Sequence, residues 1–249
     1  MAILALLYAL AAYGFFVGTF VYLVGFVGNL PLLPRTMDSG AAVPLAEALA
    51  VNLALLALFA VQHSVMARRG FKRWWTRWVP LPVERATYVL AASAALALLL
   101  WQWRPVPQPV LWSAQYPAAR LALQAVGWVG WAVVLASSYL IDHFELFGLR
   151  QPWLRLRGQT AREPVFRTPL LYRQVRHPIY LGFLLAFWAT PQMTAGHALF
   201  AAGNTAYILV GVWFEERDLI AQFGQRYVAY RRLVGMLFPR LFGRSTGPG

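Results

Sequence analysis

The sequence has no cysteine, one lysine and only nine acidic residues among 249. The first absence excludes a disulfide framework and any thiolate-held metal. Charged residues make up 12% of the chain, half the ~25% usual for soluble domains. Charge is also absent over long stretches: Ile179 to Phe214 contains no Lys, Arg, Asp or Glu. In its place 59% of the chain is hydrophobic. These are the proportions of a polytopic membrane protein, and one helical bundle absorbs the whole length. The N-terminus lacks the basic n-region and short apolar region with a cleavage site that mark a signal peptide. Residues 3–30 are therefore expected to be a retained first span.

The formal charge of +13 invites a nucleic-acid partner, but the distribution argues against one. Six Lys/Arg lie between Arg68 and Arg85, seven between Arg150 and Arg176, and six after Glu216; Arg35, Arg104 and Arg120 are the remainder. This is the asymmetry of the positive-inside rule, strengthened by anionic headgroups. From Arg68 to Trp78, basic residues alternate with Trp74, Trp75 and Trp78. Beside two spans, that mixture fits membrane lipid better than single-stranded nucleic acid. The 21 Arg against one Lys suggest a GC-rich bacterial genome, and hence the bacterial inner membrane.

Four spans are expected before residue 142: Ile3–Leu30, Leu45–Met66, Ala86–Trp103 and Leu121–Ile141. Pro31–Pro44 and Arg104–Pro117 then form external loops, and Gly14, Gly18, Gly25, Gly28, Gly127 and Gly130 allow close helix packing. In the last third, Thr190-Pro191-Gln192 interrupts the uncharged run, so a hairpin of two short helices is expected there. The fold class is all-α integral membrane protein: a bundle of four transmembrane helices plus a C-terminal helical hairpin, five to six spans in all. Amphipathic helices lie on its cytoplasmic side, and with six spans both termini are cytoplasmic. Residues 1–141 form the N-terminal membrane region. Residues 142–249 form the connection, hairpin and tail of the same structural unit. The last helix continues past Phe214 and stops at Gly224, a good C-terminal cap. Gln225–Leu233 follows as a short amphipathic helix, and Ser245–Gly249 is expected to be disordered.

A hairpin returns its ends to one side. Arg176-His177-Pro178-Ile179-Tyr180-Leu181-Gly182 thus becomes the neighbour of Glu215-Glu216-Arg217-Asp218. Asp142, His143 and Glu145 emerge at the same level, either as a proton relay or as a solvated helix end. Within the second span, Asn52 suits an interhelical hydrogen bond. Gln62 and His63 suit either such a bond or the site itself. His63, His143, His177 and His197 are too dispersed for a metal motif, and no metal is expected; His197, on the far side of the hairpin, is expected to be structural. No Gly-rich nucleotide loop follows a strand, which argues against a Rossmann-type enzyme.

Arg176-His177-Pro178-x-Tyr180-x-Gly182, an apolar hairpin, Glu215-Glu216, Phe223-Gly224, Tyr227, Tyr230 and Pro239 together resemble the integral-membrane methyltransferases. That superfamily includes the isoprenylcysteine carboxyl methyltransferases and the phospholipid methyltransferases. The shared pattern covers about a quarter of the chain. Three further stretches are similar to a narrower branch, the NnrU-like proteins, which include the methanethiol S-methyltransferases. They are the run from Asp142 to Gln151, the stretch from Asn52 through Gln62-His63-Ser64 to Arg68, and Pro82 to Tyr88. With them the resemblance extends over nearly the whole chain.

The resemblance implies S-adenosyl-L-methionine as methyl donor and a small thiol, such as methanethiol, as acceptor, with dimethyl sulfide as product. It implies a donor site of His177, Tyr180, Gly182, Glu215 and Glu216. There a carboxylate pairs with the donor's ammonium, a tyrosine face attracts its sulfonium, Arg176 meets its carboxylate, and Gly182 leaves room. A dry pocket favours charges that cancel as sulfonium and thiolate react. The catalytic candidates are His143 as proton acceptor, Asp142 orienting it, and Arg176 (or His177) stabilising the thiolate. Two alternatives stay open: a lipidic acceptor, an isoprenylcysteine carboxylate or a phospholipid amine, and a non-catalytic NnrU-like membrane protein. The oligomeric state is not legible in the sequence.

Overall fold

Proline and glycine cut the apolar sequence into its elements. The structure, a computed structural model, describes residues 1–41, 43–159 and 165–240. Five helices among these residues are long and apolar enough to cross a membrane: α1 (Ala2–Val27), α2 (Leu45–Ala67), α4 (Leu81–Gln102), α5 (Pro117–Ile141) and α9 (Ala195–Phe223). Pro44 and Pro80 immediately precede α2 and α4, and Pro117 opens α5, where a missing N–H costs nothing. Short helices fill the connections: α3 (Arg69–Trp75), α6 (His143–Leu146), α7 (Arg150–Leu156) and α10 (Gln225–Leu233). The polar tail from residue 241, and with it the expected disorder of Ser245–Gly249, lies outside the described residues.

The long helices are apolar all round. Large aliphatic side chains such as Leu53, Val61, Leu121, Val129 and Val210 point outward, each more than half exposed, as lipid-facing residues do. The polar residues turn inward. Asn52 is fully buried and exchanges two bonds with the backbone of Arg104, at 2.7 and 2.9 Å, the structural role expected of it.

The hairpin differs from the expected pair of short helices. Its first arm, α8 (Pro178–Trp188), has 11 residues, about 16 Å, too short for a ~30 Å hydrocarbon core. Its second arm, α9, has 29 residues and carries the polar end of the hairpin beyond the apolar run. The break at Thr190–Pro191 falls early, so the residues are divided unequally. Between the arms, β2 (Gln192–Thr194) pairs antiparallel with β1 (Val110–Ser113), a clasp not expected from the sequence. Thr194 caps α9 by accepting from His197 N at 3.1 Å, and its hydroxyl donates to Asp38 at 2.6 Å. His197 Nε2 donates to the carbonyl of Phe187 at 2.8 Å, so this histidine joins the two arms.

One apolar core, including Phe26, Leu56, Leu99, Trp103, Phe187 and Phe200, fills this proline-rich end. At the other, basic end, α5 packs tightly on α8. A Cβ on Gly182 would lie 2.7 Å from the Gly130 carbonyl oxygen, and one on Gly130 would lie 2.6 Å from that of Gly182. The two glycines let the helices touch. The missing Gly182 side chain leaves room for α5.

Candidate functional site

The site forms where Pro178 starts α8 one residue after His177, and where the apolar run of α9 ends one residue before Glu215. Glu216 is its hub. Its Oε1 accepts from Arg176 Nε at 2.7 Å and from His177 Nε2 at 3.2 Å. Its Oε2 lies 3.2 Å from Arg231 Nε. Arg176, His177 and Glu216 are all buried. A buried ion pair is stable only when the remaining polar atoms are also satisfied. Arg176 meets that condition: Nη1 donates to the carbonyls of Arg231 at 3.1 Å and Val234 at 2.5 Å. The backbone N–H groups of Arg176 and His177 donate to Gly235 and Met236 at 2.8 and 3.1 Å. These contacts sew the segment after α10 to the approach of α8. They also commit Nε and Nη1 of Arg176, which was expected to meet a donor carboxylate or a thiolate, to holding the site together.

Glu215 is arranged differently. Its Oε2 accepts from the Tyr180 hydroxyl at 2.8 Å. His177 Nδ1 lies 3.7 Å away, and the Glu215 side chain is 43% exposed. No Arg or Lys pairs with it among the described residues. The adjacent acids thus separate in role. Glu216 is neutralised within the fold, and Glu215 holds a negative charge beside an aromatic ring.

Two tyrosines, Tyr227 and Tyr230, stand on α10 close to Arg231, with ring centroids 5.8 Å apart. The Tyr230 hydroxyl donates to the Tyr172 carbonyl at 2.5 Å, and burial pushes its ionisation up to about 12. Burial, and then the charge of Glu216, push Tyr227 up as well. Both remain hydrogen-bond donors at any physiological pH. Tyr227 is 2% exposed, yet its hydroxyl has no partner among the described residues. A buried hydroxyl without a bond is costly, so this atom awaits a polar group. An uncancelled carboxylate, a phenol ring and an orphaned hydroxyl fit a small organic cation that also carries hydrogen-bonding groups. Sequence reasoning missed Arg231 as a ligand of Glu216, and missed the orphaned Tyr227. The signal was the i, i+3, i+4 spacing of Tyr227, Tyr230 and Arg231, which places them on one face of α10.

The structure does not form the expected Asp142–His143 pair. Asp142 joins α5 to α6. Its carboxylate caps Glu145 N at 3.1 Å and pairs with Arg150. The buried His143 turns to α1 and α5, with Nε2 2.7 Å from the Tyr13 hydroxyl and Nδ1 2.9 Å from Ser138 Oγ. The single Ser138 hydroxyl proton goes to the Leu135 carbonyl at 2.7 Å. Ser138 Oγ must therefore accept from Nδ1–H, which leaves Nε2 to accept from Tyr13. Burial lowers the pKa of this imidazole. His143 is thus a neutral, saturated staple. The nearest physical reason is local: the turn at Asp142 sends neighbouring side chains in different directions. Among the described residues no cluster of His, Asp and Glu could hold a metal.

Comparison with known proteins places this geometry in a family. No family model matches the chain, and no solved structure matches it. A methanethiol S-methyltransferase of Mycobacterium tuberculosis is 58% identical over 95% of this chain and 96% of its own. Methanethiol S-methyltransferase 2 of Bradyrhizobium diazoefficiens is 58% identical over 96% of this chain and 91% of its own. Nurim of Sus scrofa is 31% identical over 85% of this chain and 87% of its own. With such identity across almost the full length of both partners, the chain belongs to the methanethiol S-methyltransferase family.

Proposed function

We propose that this protein is an S-adenosylmethionine-dependent membrane methyltransferase that methylates methanethiol to dimethyl sulfide. The observation that carries it is the division between the two acids: Glu216 saturated by Arg176, His177 and Arg231, and Glu215 left charged beside Tyr180. When bound, the donor supplies a methyl group on a sulfonium. Glu215 would hold its ammonium, the ring of Tyr180 would face its positive sulfur, and the Tyr227 hydroxyl would meet one of its polar groups. His177 and Glu216 act through position: they fix the ring and the helix ends between which the ligand lies. Gly182 contributes the α5–α8 contact beneath.

Methanethiol is small and apolar enough to enter through lipid. By the positive-inside rule, the basic end, with Met1 and α10, faces the cytoplasm of a bacterial inner membrane.

Purified protein given labelled S-adenosylmethionine and methanethiol should release labelled dimethyl sulfide into the headspace. Glu215→Gln should lower it at least roughly tenfold at subsaturating donor. Saturable donor binding without dimethyl sulfide would transfer the methyl group to a lipidic acceptor. Failure to bind the donor would leave a non-catalytic membrane protein.

A further inference from the structure

His143, hydrogen-bonded through both ring nitrogens, has none free to take the acceptor thiol's proton. A second imidazole at the same end has a nitrogen to offer. His63, in the last turns of α2, sits among Phe59, Tyr88 and Tyr207, with ring centroids 5.5, 5.1 and 6.1 Å away. The Tyr88 hydroxyl is 2.8 Å from His63 Nε2 and 3.4 Å from the His63 carbonyl oxygen. A phenol has one proton to give. With that proton on the carbonyl, Nε2–H donates to the phenol oxygen and Nδ1 carries a bare lone pair. Nδ1 is buried and has no partner among the described residues, and neither has the adjacent Gln62 Oε1. Two orphaned polar atoms on consecutive residues, at the edge of a membrane span, cost stability unless a partner is brought to them. The ring is also well placed. Arg68, five residues on from His63, pairs at 3.3 Å with Asp218, three residues on from Glu215, so the basic ends of α2 and α9 meet.

We propose that His63 Nδ1 accepts the thiol proton and that Tyr88 positions the ring for it. This rests on the methyltransferase assignment above. The S–H bond breaks and its proton moves to Nδ1, while the electron pair stays on sulfur and forms the new S–CH3 bond. The methyl group's bond to the donor sulfur breaks with its pair retained by that sulfur, which becomes a neutral thioether. The positive charge thereby passes from sulfonium to imidazolium, and the proton leaves to water at the basic end. The titratable and charged groups beside the ring are Tyr88 and Arg85 from α4 and Tyr207 from α9. Arg85 lies behind Tyr88, 5.1 Å from its ring. Arg68, just past the end of α2, is held in its pair with Asp218.

The test compares wild type with His63→Phe, His63→Gln and Tyr88→Phe as full-length proteins in detergent. Donor affinity is measured by calorimetry, and kcat/KM for methanethiol from pH 6 to 9. His63→Phe should bind donor like wild type and lose about 100-fold or more in kcat/KM at pH 7. The deficit should shrink roughly tenfold per pH unit as the thiol ionises by itself. His63→Gln keeps a partner for Tyr88 but no base. It should behave the same way, and it replaces the Phe variant if that one fails to bind donor. Tyr88→Phe should show a smaller loss of the same pH form.

In donor-free protein labelled with 15N-histidine, methanethiol should shift the signal that His63→Phe lacks. A variant as active as wild type at pH 7, a loss that does not change with pH, or an unmoved His63 signal overturns the proposal. Active wild type beside an active His63→Phe overturns this assignment alone. Donor-binding wild type that makes no dimethyl sulfide overturns the thiol reaction with it.

Discussion

Two carboxylates side by side on a helix repel each other unless something separates their surroundings, and here the separation comes from afar. Glu216 meets Arg176 from before α8 and Arg231 from α10, whereas Glu215 meets a phenol. Glu216→Ala would leave the Arg176 guanidinium buried without its anion, a loss of about 3–5 kcal/mol. It should appear as a large drop in unfolding temperature even without donor. Glu215→Gln keeps the Tyr180 bond and removes only charge. It should leave the unfolding temperature within a few degrees of wild type and weaken donor binding at least roughly tenfold. A similar pair of outcomes from both variants would refute the division.

His143 makes a second residue-level prediction. Burial holds its folded pKa below the unfolded value near 6.5. Its contribution is therefore complete above about pH 6.5 and declines as pH falls toward the folded value, because only the unfolded chain takes up the proton. Unfolding temperature should fall on acidification below that point, and less steeply in His143→Phe. That variant should retain methyl transfer.

At the scale of elements, the close approach of α5 and α8 is the contact that fixes where His177 and Tyr180 stand. Gly182→Ala would drive a methyl group to 2.7 Å from the Gly130 carbonyl and 2.8 Å from Val134. Overpacking of this kind costs about 1–3 kcal/mol. Because α8 must slide to relieve it, donor affinity should fall along with stability. Unchanged affinity in a destabilised variant would detach the helix contact from the site.

The boundaries of these elements were legible wherever proline or glycine punctuates them. Pro178, Pro191 and Gly224 mark the ends of the hairpin because each constrains its own backbone: α9 stops at Gly224, with φ 58°. The β1–β2 clasp was not legible. Strands of four and three residues have too short a pattern to show, and their pairing is set by two loops that the helices bring together. The meeting of Arg176-His177 with Glu215-Glu216 followed from the hairpin alone. The Arg231 partner of Glu216 did not, because it reaches the site through the turn after Gly224. The neighbours Asp142 and His143 misled for the opposite reason: adjacency in sequence is no guide to adjacency of side chains at a helix junction.

At the scale of the molecule, the two ends of the bundle differ in chemistry, and the direction in which they face decides how the reaction is supplied. The basic end carries the acid pair, His63 and α3, where Trp74 stands 4.7 Å from Trp78 just beyond the helix. The other end is closed by the Asp38–Thr194 and Asn52–Arg104 bonds and the short sheet. A cytosolic, charged donor cannot cross the hydrocarbon, so a donor site at the basic end requires that end to face the cytoplasm. The absence of cysteine makes this directly measurable. Gln115 and Gln159 are both exposed, on the loops at opposite ends. In intact spheroplasts a membrane-impermeant maleimide should label Gln115→Cys at once and Gln159→Cys only after permeabilisation. The reverse pattern would put the acid pair on the side without donor, and the proposed methyl transfer would fail with it.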